Sequence, residues 1–264
     1  MIDTHAHLDK IDRDEIGAVI ARAIKGNITQ IVTVGMDPAT SREGIKLARD
    51  HPEVYAAVGI HPWEAAANAS KEALASIREL AQSERVVAIG EIGLDFEGNA
   101  FSGESYQPEP PRRIQRDVFR QQLQLAQELK IPAIIHVRQS QAHQETDAAL
   151  AEVKLPGGAI IQLVSATKKD IEAHLNAGCY ISVGGVPTDP READLRLAVQ
   201  AIPLERMVLE TDAPYVPPIW KLGMPSEPAD IPAVGTYIAA LKGVPVSDLY
   251  EFTTRNAQKL FHLQ

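Results

Sequence analysis

The stretch Ile31-Val32-Thr33-Val34 is a β-branched run without polar alternation. A strand of that kind is buried on both faces, the habit of parallel strands covered by helices on each side. Two stretches with helical spacing flank it. Asp12 to Lys25 places Ile16, Val19, Ile20 and Ile24 on one face and stops at Gly26, and Pro38 to Arg49 follows on the other side. Outward from this point the same unit recurs. Strand-like segments are Ile2 to His7, Gln30 to Gly35, Val54 to Ile60, Val86 to Glu91, Pro132 to Val137, Gly158 to Val164, Cys179 to Val183, and Met207 to Glu210. Between and after them, helical patterns cover Ser70 to Ser83, Ile114 to Leu129, a stretch ending near Val153, Lys168 to Asn176, Pro190 to Ala201, Ile231 to Leu241, and Val246 to Phe261. Eight strands, with helical segments between successive ones and right-handed crossovers, predict an α/β chain folded as a (β/α)8 TIM barrel. An open doubly wound sheet is the alternative.

Length agrees, because 264 residues suit one barrel domain spanning 1–264. No run approaches the roughly 20 apolar residues of a membrane span, and the N-terminus lacks the basic and apolar regions of a signal peptide, so a cytoplasmic location is expected. The single cysteine, Cys179, excludes an internal disulfide and a cysteine-based zinc site; it reads as a small buried hydrophobe. Lysine and arginine total 26 against 35 acidic residues, a net charge of −9. A basic footprint for duplex DNA is therefore missing. A phosphodiester substrate would have to be attracted by something other than net charge, and bound divalent cations are the obvious candidate. The irregular segment from Glu97 to Pro111 follows a strand and reads as a loop on the active-site side.

In a barrel, chemistry gathers at the C-terminal ends of the strands. His5 and His7 end the first strand and share a face. His61 follows the third strand, Glu91 ends the fourth, His136 the fifth and Asp212 the eighth. Imidazoles and carboxylates converging on one rim make a divalent-metal site, with ligands suited to Zn, Mn, Fe or Mg. Taken singly each has a plainer reading: Glu91 a turn, Asp212 an Asx-turn before Pro214, His61-Pro62 a strand-ending turn. His51, His143, His174 and His262 read as solvated surface residues. Trp63 and Trp220 follow strand ends and read equally as core or pocket-lining residues.

Ile2-Asp3-Thr4-His5-Ala6-His7-Leu8-Asp9 resembles the opening of the TatD family of metal-dependent hydrolases, within the amidohydrolase-like superfamily. Gly59-Ile60-His61-Pro62, Gly90-Glu91-Ile92-Gly93-Leu94-Asp95, Ile135-His136-Val137-Arg138 and Leu209-Glu210-Thr211-Asp212-Ala213-Pro214-Tyr215 resemble its later blocks in order. The tail Thr253 to Phe261 resembles its closing helix. The resemblance implies that His5, His7, Glu91 and Asp212 hold a first metal. It also implies that Glu91 bridges to a second, which takes His136 and a histidine on the sixth strand. It implies one or two divalent ions per chain (Zn, Mn or Mg) and deoxyribonuclease-type activity on DNA ends or another phosphodiester. The chain departs from the family at Gln162, where that sixth-strand histidine belongs. A neutral amide oxygen is a weaker donor that suits Mg or Mn better than Zn, so a weakened second site is expected. A second departure is Ser226-Glu227-Pro228, where the family usually has an Asn-Glu-Pro-like element.

The expected reaction is metal-assisted hydrolysis of an ester bond. Asp212 orients the water and takes its proton, and His61 donates to a leaving or phosphoryl oxygen. Arg138 is a candidate phosphate clamp through its guanidinium fork, with a rim salt bridge as its alternative. Two other classes stay open. One is a mononuclear hydrolase of a small amide, lactone or ester; the other is a non-catalytic metal-binding relic.

Overall fold

The structure, a computed structural model, describes residues 1–97 and 109–263. Eight strands form one parallel sheet in sequence order: β1 (Ile2–Ala6), β2 (Gln30–Val34), β3 (Val54–Val58), β4 (Val86–Asp95), β5 (Ala133–Arg138), β6 (Ala159–Gln162), β7 (Tyr180–Val183) and β8 (Met207–Leu209). A parallel bridge from Ala6 to Ala213 joins the last strand to the first. Asp212 N–H donating to His5 O and His7 N–H donating to Ala213 O reinforce it. The sheet thus closes into a barrel, and the open-sheet alternative is excluded.

The helices are α1 (Arg13–Lys25), α2 (Pro38–Asp50), the short α3 (Ala65–Asn68), α4 (Lys71–Leu80), α5 (Arg112–Leu129), α6 (Ser140–Glu152), α7 (Lys168–Asn176), α8 (Ala193–Ala201), α9 (Ile231–Lys242) and α10 (Val246–Phe261). Local sequence sets their starts. Asp37, Ser70 and Thr167 accept backbone N–H groups at the N-termini of α2, α4 and α7, each such cap being worth about 1 kcal/mol. On α1 the expected apolar face is narrower than its spacing suggests, since Ile24 is 46% exposed. The expected loop from Glu97 to Pro111 lies, apart from its ends, outside the described residues.

Two apolar layers follow from the period of two along each strand. Val32, Ala57, Ala88, Ile134, Ile160, Tyr180 and Val208 fill the barrel interior, one from each of seven strands, and Leu260 and Phe261 of α10 pack onto them. Ile31, Ala56, Ile89, Ile135, Ile161 and Leu209 belong to the larger layer between strands and helices. Two residues beyond the interior set, on the same faces, stand His136, Gln162, Ser182 and Glu210. The apolar lumen therefore ends in a ring of polar side chains at the C-terminal rim.

Two register shifts sit under that rim. On β1 the pairing with β2 slips between Asp3 and Ala6, and on β4 the pairing with β5 slips between Ile89 and Ile92. Such bulges re-aim side chains beside active sites. Here they fall at His5 and Glu91. β4 also continues four residues past Glu91, so Glu91 lies within the strand rather than ending it. Gly93 sits at φ +144°, and a Cβ there would collide with the backbone carbonyl of His136; only glycine lets β4 pass this close to β5.

Candidate metal centre

Four ligand atoms converge at the mouth of β1, β4 and β8. His5 Nε2 and His7 Nε2 lie 3.4 Å apart. Each is 3.4 Å from Glu91 Oε2, and Asp212 Oδ1 is 3.4 Å from His5 and 3.3 Å from His7. His5, His7 and Asp212 thus group as one candidate set, with Glu91 Oε2 equally close to both histidines. Three atoms this far apart lie on a circle of about 2 Å radius, so one ion can reach all three at the ordinary distance from zinc to an imidazole nitrogen or a carboxylate oxygen. The donor set therefore fits a divalent cation. Asp212 has the most open side chain of the four, 14% exposed. Its backbone holds φ +57°, a left-handed conformation that aspartate tolerates better than most residues.

Glu91 presents its other oxygen to a second group. Glu91 Oε1 lies 3.0 Å from His136 Nδ1 and 3.8 Å from His61 Nε2. Gln162 Oε1 lies 3.0 Å from the same His136 nitrogen. His61, Glu91 and His136 thus form a second cluster, with the Gln162 amide beside it. His61 enters this cluster, where sequence reasoning placed it only as a proton donor.

The hydrogen-bond pattern separates the histidines. Trp63 N–H donates to His61 Nδ1 at 3.2 Å, so a neutral His61 carries its proton on Nε2 and turns an N–H toward the site. Burial pushes its pKa down to about 3, which keeps it neutral. His136 differs. Its Nε2 lies 3.0 Å from Asp95 Oδ2, and both of its nitrogens face acceptors. Burial opposes the cation, but hydrogen bonds to Asp95 and Glu91 outweigh it and raise the pKa to about 10. His7 is likewise raised to about 10 against burial, by Asp212 and Glu91, and His5 is raised by Glu91 and Asp212. Burial pushes Glu91 up, yet its histidine neighbours, His5 foremost, hold it well below the usual carboxylate range.

Around these groups lies a buried frame that sequence reasoning missed. Asp95 accepts from Trp63 Nε1 at 2.9 Å and from Arg138 at 3.2 Å. A second Arg138 nitrogen reaches Glu97 at 2.8 Å. Arg138, the expected phosphate clamp, is 3% exposed and spans two carboxylates. Behind His5, Glu210 Oε2 lies 3.9 Å from its Nδ1 and bonds Ser182; burial lifts Glu210 to about 8. Asp3 accepts from the backbone and hydroxyl of Thr211 at 3.1 and 2.6 Å, and burial lifts it to about 7. Two buried glutamines two turns apart on α5 clamp the loops that carry the site. Gln122 bonds both backbone groups of Ile60, and Gln115 both of Asp95. The signal for Ser182 and Glu210 was the strand period, which puts them in line with Tyr180 and Val208.

Other expectations resolve simply. Cys179 is buried, and its thiol is pushed up to about 12 by burial. Glu227 meets Arg22 of α1 at 2.8 and 3.0 Å. Two histidines read as solvated are in fact buried: His143 is 1% and His174 0% exposed. They bond each other at 2.8 Å, and His174 reaches Asp147 at 2.6 Å. The two rings meet between α6 and α7, which helical spacing alone does not show. Among the described residues, no helix is long and apolar enough to cross a membrane.

The chain matches the model of the TatD-related DNase family over residues 2–262. It is 33% identical to the uncharacterized metal-dependent hydrolase YabD of Bacillus subtilis, over all of this chain and 99% of that protein. It is 35% identical to the 3'-5' ssDNA/RNA exonuclease TatD of Erwinia tasmaniensis, over 96% of this chain and 94% of the relative. Among solved structures, the TatD homologue YjjV of Escherichia coli superposes with a TM-score of 0.91 at 27% identity, covering 100% and 98% of the two chains. A candidate metal-binding set at the rim of a closed barrel and whole-length likeness agree: the chain belongs to the TatD-related DNase family of metal-dependent hydrolases.

Proposed function

We propose that this enzyme hydrolyses phosphodiester bonds at the ends of nucleic acid strands, using one tightly held divalent ion and a second, weaker one. The observation that carries the proposal is Glu91, with one carboxylate oxygen against His5 and His7 of the first set and the other against His136 of the second group. When bound, the ions supply Lewis-acid activation of water and of the phosphoryl oxygens. The remaining work falls to side chains. Asp212, the most open carboxylate of the set, orients the attacking water and receives its proton. His61 offers its Nε2–H as a hydrogen bond to an oxygen of the reacting phosphate, a role that its Trp63-fixed tautomer supports. Asp95 holds His136 Nε2, so that Nδ1 faces Glu91; a carboxylate behind a liganding histidine fixes its orientation.

Arg138 acts here by holding Asp95, since its guanidinium already spans two carboxylates. Gln162 offers an uncharged oxygen where an imidazole nitrogen would bind a borderline ion more strongly, which favours Mn or Mg over Zn at the second position. A relative named as a 3'-5' ssDNA/RNA exonuclease supports the substrate class.

The test has two parts. Nucleotide release from end-labelled DNA and RNA should depend on added Mn or Mg and vanish with Asp212→Asn. Elemental analysis should find about one ion per chain as purified, rising toward two in excess Mn. Turnover of lactones or amides in place of phosphodiesters would overturn the proposal, as would a metal-saturated chain with no hydrolytic activity.

A further inference from the structure

Seven large hydrophobic side chains stand exposed among the described residues, and four of them fall within ten residues of the loop after β8: Tyr215 at 43%, Trp220 at 48%, Leu222 at 67% and Met224 at 60%. Chance scatter of single apolar residues needs no explanation, but four gathered in one loop that starts at a site do. The loop is closed at its neck, where Ser226 N–H donates to Pro214 O at 3.0 Å, and Tyr215 N–H donates to Asp212 O at 2.8 Å. The same segment that positions Asp212 therefore carries the apolar group. Tyr215 packs edge-on against His7, ring centres 5.5 Å apart, and Trp220 leans on Tyr237 at 6.3 Å. The lysine within the group, Lys221, is occupied by Asp230 at 2.9 and 3.1 Å. An apolar, aromatic lip on a chain of net charge −9 is poorly built to hold phosphates and well built to stack flat, uncharged rings.

Resting on the phosphodiester reading above, we propose that this lip is the base-stacking platform that selects unpaired strands. Tyr215 takes the base next to the scissile phosphate, and Trp220, with Leu222 and Met224, takes bases farther along the strand. Bases paired in a duplex hide their faces and cannot use it. Because stacking rather than phosphate contact supplies the attraction, binding at the lip should depend little on salt, unlike a basic groove.

The test compares wild type, Trp220→Ala, Trp220→Phe and Leu222→Ala/Met224→Ala on a short oligothymidylate and on a strand of equal length built from abasic sugars. Binding is read by anisotropy of dye-labelled strands with chelator present, and KM and kcat with Mn present. Trp220→Ala should weaken oligothymidylate binding and raise KM by roughly 5- to 100-fold, with kcat nearly unchanged. Trp220→Phe should restore most of the loss, and the abasic strand should bind wild type and variant alike. Equal losses on both strands, or no change in KM, would overturn the proposal. So would a concentration-dependent dimer that Leu222→Ala/Met224→Ala abolishes while KM stays fixed, because the lip would then be covered by a second copy. Base-dependent binding by a wild type that hydrolyses neither strand would uphold the platform and sink the phosphodiester reading alone.

Discussion

Metal binding should release protons, and the number follows from the geometry. His7 and His136 are each raised to about 10 against burial, by Asp212 and Glu91 for the first and by Asp95 and Glu91 for the second. His5 is raised in the same sense. A cation must displace those protons from the ligating nitrogens. At pH 7, removing a proton from a group with a pKa near 10 costs about 4 kcal/mol, at 1.36 kcal/mol per unit. Filling the first set should therefore release a proton from His7, with a further contribution from His5, and the second position about one more, from His136. The apparent association constant for the first ion should rise about tenfold per pH unit for each proton displaced. Isothermal titration with Mn in buffers of differing ionisation enthalpy measures the release directly, and repeating it from pH 6 to 8 gives the slope. A flat affinity with no proton release would refute the reasoning, because the histidines would then be neutral and already poised as ligands.

The same raised values make the metal-free protein lose stability as pH rises. The folded pKa values of His7 and His136 exceed the ordinary 6.5, so their contribution is full below about 6.5 and lost toward 10. Thermal melts with chelator should show this fall, and saturating Mn should suppress it. Gln162→His should tighten the second ion by about tenfold or more and raise the rate, as read by titration and nucleotide release; no gain in either would remove Gln162 as the cause of weak binding. His61→Phe should lower kcat by about 10²- to 10⁴-fold with metal content unchanged, and loss of an ion would instead make His61 a ligand. Asp147→Ala should cost about 1–3 kcal/mol in urea unfolding, because it strands the Nδ1 of His174, a fully buried residue, while metal content stays the same.

Much of the fold was legible because its signal is local and repeated. Runs such as Ile31 to Val34 and Ala133 to Ile135 declare strands buried on both faces, and alternation with helical spacing leaves few closed topologies. His5, His7, Glu91, His136 and Asp212 were found as strand-end polar residues, and the structure brings them to one mouth. What escaped depends on long-range pairing. Asp95, Glu210 and Ser182 look unremarkable in sequence; they matter because the neighbouring strand in the closed barrel aims His136 at Asp95 and His5 at Glu210, which Ser182 bonds in turn. His143 and His174 were misread for the same reason, since each is polar on its own helix and is buried against the other, with Ser165 O and Asp147 on their far sides. Gln115 and Gln122 read as the polar half of an amphipathic helix, yet both are buried clamps.

The acidic character of the chain now has a local cause and a consequence. Asp3, Glu91, Asp95, Glu210 and Asp212 crowd the rim, and the first four are buried with at most 2% exposure. Without cations, such a mouth repels a phosphodiester. With histidines protonated, it is partly neutralised by protons instead of metal, which is why the raised values of His7 and His136 belong to the metal-free protein. A divalent ion replaces those protons and concentrates the positive charge, with an open coordination position, where the scissile phosphate must sit. Recognition can then be divided. The ions attract the one phosphate that reacts, the acidic surface disfavours long stretches of duplex backbone, and the apolar lip from Tyr215 to Met224 attracts exposed bases. On this division the net charge of −9 works with the proposed activity, because it discourages the substrates that the lip cannot stack.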